Sequence, residues 1–179
     1  MTHRRRGISG DSERTSNMKI CGIDPSTTCS GVAILENGKL AAHEIFDMKK
    51  NRDAFNRIET MIFELGDFIQ KHKPDVVYVE DPNGKSVKIA KMISNVIGGI
   101  MYACYSVGCD FQVVTASQWR SALGIKLVKD GKRLEREGLK AEDIAWVHNM
   151  YGIKCGDDEA DAICIANAGL LLYKSELFE

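Results

Sequence analysis

The sequence has no Cys-X-X-Cys pair, and none of its six cysteines stands at zinc-finger spacing from a histidine. These absences argue against a structural zinc site. Most of the cysteines lie in apolar segments, which is typical of buried, reduced thiols in a reducing compartment. The longest apolar run, residues 93–104, is interrupted by Asn95 and two glycines and is too short to span a membrane. We therefore expect no membrane partner.

The chain also lacks the strong positive charge of many nucleic-acid-binding proteins, since 24 Lys and Arg face 25 Asp and Glu, a net charge of −1. A nucleic-acid partner would have to meet a local basic patch or a bound metal ion. The length of 179 residues fits one domain with a substantial core. Residues 1–17 are rich in Arg but have no apolar stretch, so they are not a secretory signal. We interpret them as a disordered leader before a domain at 18–179, with organellar import as the lesser alternative.

The hydrophobic pattern predicts an α/β domain, a mixed five-stranded sheet with helices on both faces. The first three strands are expected to be antiparallel, and Asn37-Gly38 favours a type I′ turn between the second and the third. Residues 124–140 are charged and punctuated by glycine, which predicts an exposed, mobile excursion. The predicted strands are 19–24, 31–35, 40–46, 76–80 and 109–114. The predicted helices are 52–71, 86–107, a short one around 117–120 that is capped by Thr115 or Ser117, 141–150 and 158–174.

Three acids, Asp24, Glu80 and Asp161, stand where the sequence pattern makes an acid costly. Asp24 ends the first strand directly before a proline, and Glu80 ends the buried strand 76–80. Asp158 and Asp161 are three residues apart, hence on one helix face, and Asp161 stands among apolar residues. Such acids need partners, and carboxylates that converge repel one another unless a hard divalent cation joins them. We therefore predict that these acids meet at one metal-dependent site for phosphodiester chemistry.

Four motifs resemble those of RuvC-type Holliday junction resolvases, including phage-type members, of the ribonuclease H-like superfamily. They are Gly22-Ile-Asp24-Pro-Ser, the strand ending Val-Glu80, Ser117-Gln-Trp-Arg120 and Asp158-Glu-Ala-Asp161-Ala. The resemblance covers Met18 to about Leu172 and implies a ribonuclease H-like fold. It also implies cleavage of branched DNA, such as a four-way junction, by paired phosphodiester hydrolysis that leaves 5′-phosphate and 3′-hydroxyl ends.

The same resemblance implies Mg²⁺ or Mn²⁺ as cofactor, with two ions per active site and no nucleotide cofactor. It further implies a homodimer, because a four-way junction and a pair of symmetric nicks share a two-fold axis. The expected location is the cytoplasm of a bacterial or phage-infected cell.

Residue roles follow from the match to the motifs. Asp24 is expected to bridge two metal ions, and Glu80, Asp158 and Asp161 complete the catalytic, metal-ligating set. Trp119 fits base stacking, or equally a position in the core or at a subunit interface. Basic residues near the acids are expected to bind the DNA backbone. The predicted DNA contacts are Lys85, Lys88, Trp119, Arg120, Lys126 and Lys140.

Two departures from the family pattern concern substrate choice. Family members often carry an aromatic residue shortly after the catalytic Glu for use at the junction centre, whereas Asp81-Pro-Asn-Gly-Lys85 follows Glu80 here. Residues 126–138 look like a charged insertion that replaces that aromatic, widens substrate choice, or is simply a tolerated loop. Branched DNA in general is therefore the expected substrate class.

Three alternatives remain open from the sequence. One is a ribonuclease H-like nuclease that acts on RNA or on flap or gapped substrates. Another is a DNA-binding relative without catalysis, against which the four acids argue. The third is an actin- or sugar-kinase-like ATP-binding domain, whose first phosphate loop also follows a Gly-Ile-Asp strand. Proteins of that class duplicate the domain, and this chain has no second copy.

Overall fold

The computed structural model describes residues 18–82, 85–129 and 132–177. The predicted leader, 1–17, lies outside the described residues.

Five strands form one sheet with the order β3-β2-β1-β4-β5, which confirms the predicted mixed sheet. β1 pairs antiparallel with β2, and β2 with β3, whereas β1–β4 and β4–β5 are parallel. Asn37 and Gly38 have positive φ angles of 56° and 72°, as the predicted turn requires. The strands are β1 (Lys19–Asp24), β2 (Cys29–Glu36), β3 (Lys39–Asp47), β4 (Val76–Glu80) and β5 (Asp110–Val114).

The described helices match the predicted ones except around the charged excursion. There the chain forms a small antiparallel hairpin from β6 (Val128–Lys129) and β7 (Lys132–Arg133), and the next helix starts at Arg136 instead of 141. The expected mobile stretch at 124–140 is thus partly wrong, because the helix-forming Arg, Glu, Leu and Lys around Gly138 outweigh that one glycine. The helices are α1 (Ala54–His72), α2 (Val87–Val107), α3 (Ala116–Ala122), α4 (Arg136–Tyr151) and α5 (Asp157–Leu177).

The sheet separates two apolar layers. Along β1, Ile20 faces the layer built with α3, α4 and α5, whereas Cys21 and Ile23 face the layer built with α1 and α2. This alternation is the period-two pattern of a strand that is covered on both faces. Of the described helices, α2 alone is long and apolar enough to cross a membrane by length and composition. One side of it is buried against the rest of the domain through residues such as Val96 and Ile100.

α5 lies unusually close to the central strands. A methyl group placed on Gly22 would overlap the backbone of Ala162 and Ala166, and one on Gly31 would overlap the backbone carbonyl of Asp158. Small residues on both partners therefore let the helix backbone rest directly on β1 and β2. This contact brings the start of α5 to the end of β1.

We expect Gly22→Ala to lower the free energy of unfolding by about 1–3 kcal/mol or more, since overpacking against backbone cannot be relieved by rotating a side chain. The matched control is Gly98→Ala, because a methyl group there meets nothing within 4 Å. In the exposed helix it should stabilise the protein by up to about 1 kcal/mol. Urea unfolding measures both. Equal stability of the two variants would contradict the close approach of α5.

Candidate active site

The strand register places two of the predicted acids side by side. Ile23 of β1 pairs with Val79 of the parallel strand β4. The next residues along the two strands are Asp24 and Glu80, so both carboxylates emerge at the same end of the sheet. Parallel strands bring their carboxyl ends to one edge, which is where ligand sites of α/β folds occur.

The contact of α5 with the sheet supplies the other two acids. Asp24 lies opposite Gly31 in the β1–β2 ladder, and the backbone of Asp158 lies against Gly31. Asp161 follows one turn later along α5 and is only 6% exposed. All four acids line one cavity of about 680 Å³, which we call the acid cavity. The predicted convergence of residues distant in the sequence is therefore present in the structure.

The charges of these acids oppose one another. Burial raises the pKa of Asp24, and the nearby carboxylates of Glu80 and Asp158 raise it further. Burial also raises the pKa of Asp161, with Asp24 and Asp143 adding to the effect. The pKa of Glu80 is raised by burial as well. With all four acids ionised, the cavity would therefore carry more negative charge than the protein alone stabilises.

Three of the acids have a donor or cation at the cavity wall. The indole Nε1 of Trp119 donates a hydrogen bond to Oε2 of Glu80 at 2.8 Å. The Lys140 ammonium lies 3.9 Å from Oδ1 of Asp158 and also forms a short ion pair with Asp157. Arg120 Nη2 lies 3.9 Å from Oδ1 of Asp161. These partners hold the carboxylates in place and offset part of their repulsion.

Trp119 does not fulfil the base-stacking prediction, because its side chain is fully buried. The structure supports the alternative of a core position. The guanidinium carbon of Arg120 lies 4.0 Å from the centre of its ring. Trp119 thus serves Glu80 as a hydrogen-bond donor and leaves no ring face for DNA.

Arg120, predicted to contact a phosphate, has a partner inside the protein. Its Nε and Nη2 donate to both carboxylate oxygens of Asp143 at 2.7–3.1 Å. Asp143 is fully buried on α4, and the Arg120 side chain is only 10% exposed. The pair is a buried bidentate ion pair that joins α3 to α4 at the wall of the acid cavity, which Arg120 lines. Arg120 thus has an internal partner as well as a place on the cavity wall, and its contact with DNA stays a prediction.

The other predicted DNA contacts lie in three places. Lys85 and Lys140 line the acid cavity together with Arg136, which the sequence analysis did not single out. Lys88 lines a neighbouring cleft and Lys126 a groove beside α4. Lys85 and Lys140 are therefore the predicted lysines whose positions suit a phosphate near the acids.

The sequence analysis missed Asp143, although a signal was present. Asp143 occupies the buried side of α4 together with Val147, as Asp161 does among the apolar residues of α5. An acid on an apolar helix face needs a partner, and that reasoning, applied to Asp161, would also have identified Asp143.

The donor set of the acid cavity fits a hard divalent cation. Carboxylate oxygens are the ligands that Mg²⁺ and Mn²⁺ prefer. Among the described residues, Oδ1 of Asp161 is buried without a hydrogen-bond partner. In the described ranges, however, no three Asp, Glu, His or Cys side chains are grouped tightly enough to hold one ion as they stand. The four acids line the walls of the cavity, and three of them face a donor or cation of the protein.

A mixed sheet of this order with acids at the ends of β1 and β4 and on α5 defines a nuclease of the ribonuclease H-like class. No protein-family model matches the chain. The crossover junction endodeoxyribonuclease RuvC of Carboxydothermus hydrogenoformans is 30% identical over 161 residues, which cover 86% of this chain and 96% of that protein. The chain belongs to the RuvC family.

Solved structures agree on the fold. Thermus thermophilus RuvC in complex with a Holliday junction substrate matches with a TM-score of 0.72 at 18% identity, over 90% of this chain and 98% of that one. The yeast mitochondrial Holliday junction resolvase matches with a TM-score of 0.57 at 15% identity, over 97% of this chain and 89% of that one. The family assignment removes the ATP-binding alternative.

The charge of the acid cavity predicts a pH-dependent stability. Because the pKa of Asp161 is raised on folding, the folded chain holds this proton more tightly than the unfolded chain, and stability falls as the pH rises above about 3.9. We expect Asp161→Asn to raise the melting temperature at pH 8 in EDTA and to change it little at pH 4. A gain of 1 kcal/mol corresponds to about 2–4 °C.

Asp157 is the matched control for that variant, since the hydrogen bond from Lys140 lowers the pKa of Asp157. Its charged form is therefore stabilising, and Asp157→Asn should lower the melting temperature at pH 8. A lower melting temperature for Asp161→Asn than for the wild type at pH 8 would contradict the unfavourable charge at Asp161.

The buried pair of Arg120 and Asp143 predicts that removal of one partner costs more stability than removal of both. Arg120→Met leaves the charge of Asp143 buried without its partner and should cost about 3–5 kcal/mol of unfolding free energy. The double variant Arg120→Met/Asp143→Leu removes both charges and should recover most of that loss. Urea unfolding of the two variants tests this. A double variant no more stable than the single one would show that Asp143 does not depend on Arg120.

Proposed function

We propose that this chain is a metal-dependent, structure-selective endonuclease that resolves Holliday junctions or other branched DNA by paired phosphodiester hydrolysis. The observation that carries the proposal is the convergence of four acids on one cavity in a member of the RuvC family. The Thermus relative was solved with a Holliday junction substrate, and its fold matches over 90% of this chain. Both findings support branched DNA as the substrate.

Asp24, Glu80, Asp158 and Asp161 are the residues that would hold divalent cations, Mg²⁺ or Mn²⁺, with two ions per site. Such ions supply activation of a water molecule and charge stabilisation at the leaving oxygen. Asp24 lies between Glu80 and the start of α5, which supports a bridging role. The protein contributes position: β1 and β4 present two acids, and α5 presents the other two.

The remaining polar groups orient the acids and the DNA. Trp119 holds one oxygen of Glu80, and Arg120 faces Asp161 while it is itself held by Asp143. Lys140 belongs to α4, and its side chain reaches the first turn of α5, where the ammonium faces Asp158. A phosphate that enters the cavity would meet Lys85 and Lys140 on its walls, which supports their role in backbone binding.

We further infer a homodimer, because paired nicks in a two-fold symmetric junction need two sites related by the same symmetry. α2 supplies the candidate surface. Met101, Tyr102 and Tyr105 in its second half are 55%, 71% and 83% exposed. Large apolar side chains that are exposed together commonly mark an interface.

The direct test uses a synthetic four-way junction with and without Mg²⁺. We expect the wild type to nick opposite strands symmetrically, and Asp24→Asn to bind the junction but cut it roughly 100-fold more slowly or worse, since the lost charge stabilisation is worth several kcal/mol. A flap and an RNA/DNA hybrid of matched sequence test the alternative substrates.

Asp67→Asn provides the control, because Asp67 is an exposed acid on α1 outside the acid cavity. It should cut like the wild type. Cleavage by Asp24→Asn at the wild-type rate would remove Asp24 from the mechanism. Preferential cleavage of the RNA/DNA hybrid would show that the hybrid is the substrate instead of branched DNA.

A further inference from the structure

A second depression lies beside the acid cavity, on a neighbouring face of the same helix. It has a volume of about 370 Å³, and we call it the Phe55 cleft. In the first two turns of α2, Ile89 and Ile93 line the acid cavity, whereas residues on the adjacent face line the cleft. The two sites therefore lie side by side on adjacent faces of the first turns of α2. The lining residues that matter below are Phe55, Ile58, Lys88, Lys91 and Met92.

Phe55 is the unusual residue of this cleft. Its side chain is 82% exposed, whereas Ile58, one turn further along α1, is 8% exposed and belongs to the core. The exposed ring contributes little to the stability of the fold, because most of it remains in water. It is free to contact a flat apolar ligand.

The charges around the ring specify the kind of ligand. Lys88 and Lys91 line the α2 side of the cleft and are both exposed, and no acid is among its lining residues in the described part of the chain. An aromatic face flanked by ammonium groups is the combination that binds single-stranded nucleic acid, where bases stack on the ring and phosphates meet the cations. A second copy of this chain is a poorer occupant, since its own lysines would meet these two across a two-fold axis.

We propose that the Phe55 cleft binds an unpaired base of the branched DNA, with Phe55 stacked on the base and Lys88 and Lys91 against the flanking phosphates. The inference rests on the proposed function, because the acid cavity fixes where the cleaved strand lies. Because residues of the first turns of α2 line both sites, this base would lie close along the strand to the phosphate in the acid cavity. Unpaired bases occur at a branch point but not within a continuous duplex, so the cleft favours branched DNA.

Binding measured in EDTA separates this role from catalysis. The probes are a synthetic four-way junction and a linear duplex of the same sequence. We expect Phe55→Ala to weaken junction binding by roughly 5- to 150-fold, the range for loss of one stacked base, and to leave duplex binding unchanged. Phe55→Tyr should restore junction binding, since it keeps the ring. Lys91→Gln should remove one phosphate contact and so reduce the slope of log K for junction binding against log salt concentration by about 0.9.

Phe63→Ala is the matched control. Phe63 is 70% exposed, lies on the same helix and lines a different groove. Phe63→Ala should bind the junction like the wild type. Binding is compared at protein concentrations where sedimentation gives the same oligomeric state for all variants. Equal loss of junction affinity in Phe63→Ala and Phe55→Ala would overturn the proposal. So would dissociation of the dimer by Phe55→Ala alone, which would assign the cleft to a subunit interface.

Cleavage by the wild type distinguishes this proposal from the proposed function. If the wild type cuts the junction and Phe55→Ala binds it with unchanged affinity, the cleft is not a base site and the nuclease assignment stands. If the wild type cuts no DNA substrate with Mg²⁺, the proposed function fails and this inference fails with it.

Discussion

Repulsion among buried carboxylates is the constraint on which the rest of this structure depends. Asp24, Glu80 and Asp161 each have a raised pKa, chiefly because of burial, and neighbouring acids add to it for Asp24 and Asp161. These acids do not attract one another, so their proximity must come from elsewhere. It comes from backbone packing: the strand pairing of β1 with β4 is fixed by the sheet, and α5 rests on Gly22 and Gly31. The acids cannot move apart without breaking that contact.

The cations of the site relieve this repulsion only in part. Arg120 lies near Asp161 but forms its bidentate pair with Asp143, so much of its charge is already matched. Lys140 is shared in the same way between Asp157 and Asp158. The excess negative charge of the fully ionised site would repel a DNA phosphate. The same excess makes the cavity attractive to a divalent cation, which links the instability of the site to its function.

The parts of the site that could be predicted from the sequence are those whose chemistry is visible locally. An acid at the end of an apolar strand, as at Asp24 and Glu80, or inside an apolar helix, as at Asp161, indicates a special environment by itself. The sheet was predictable for the same reason, because each strand has its own apolar pattern and Asn37-Gly38 specifies its turn.

The roles of Trp119 and Arg120 were not visible in this way. Both lie in a short polar helix that looks exposed, and their burial depends on α4, which contributes Asp143 from 23 residues further along the chain. The hairpin of β6 and β7 was missed because its strands are two residues long and carry charged side chains, so they show no apolar alternation. A tertiary contact decided the first case, whereas the hairpin is a local pairing without an apolar pattern.

The acids and the surfaces around them are held by different parts of the fold, so substrate choice in such a domain can change while the catalytic acids stay in place. The central strands and α5 fix the positions of the acids. There, even a methyl group added to Gly22 would overlap the backbone of α5. The surfaces around the cavity are built differently. Phe55, Lys88 and Lys91 are exposed residues in the first two turns of α1 and α2. Substitutions at such exposed positions change the surface while β1, β4 and α5 keep their packing. Selection for another branched DNA can therefore act on these exposed positions while the carboxylates stay where the sheet places them.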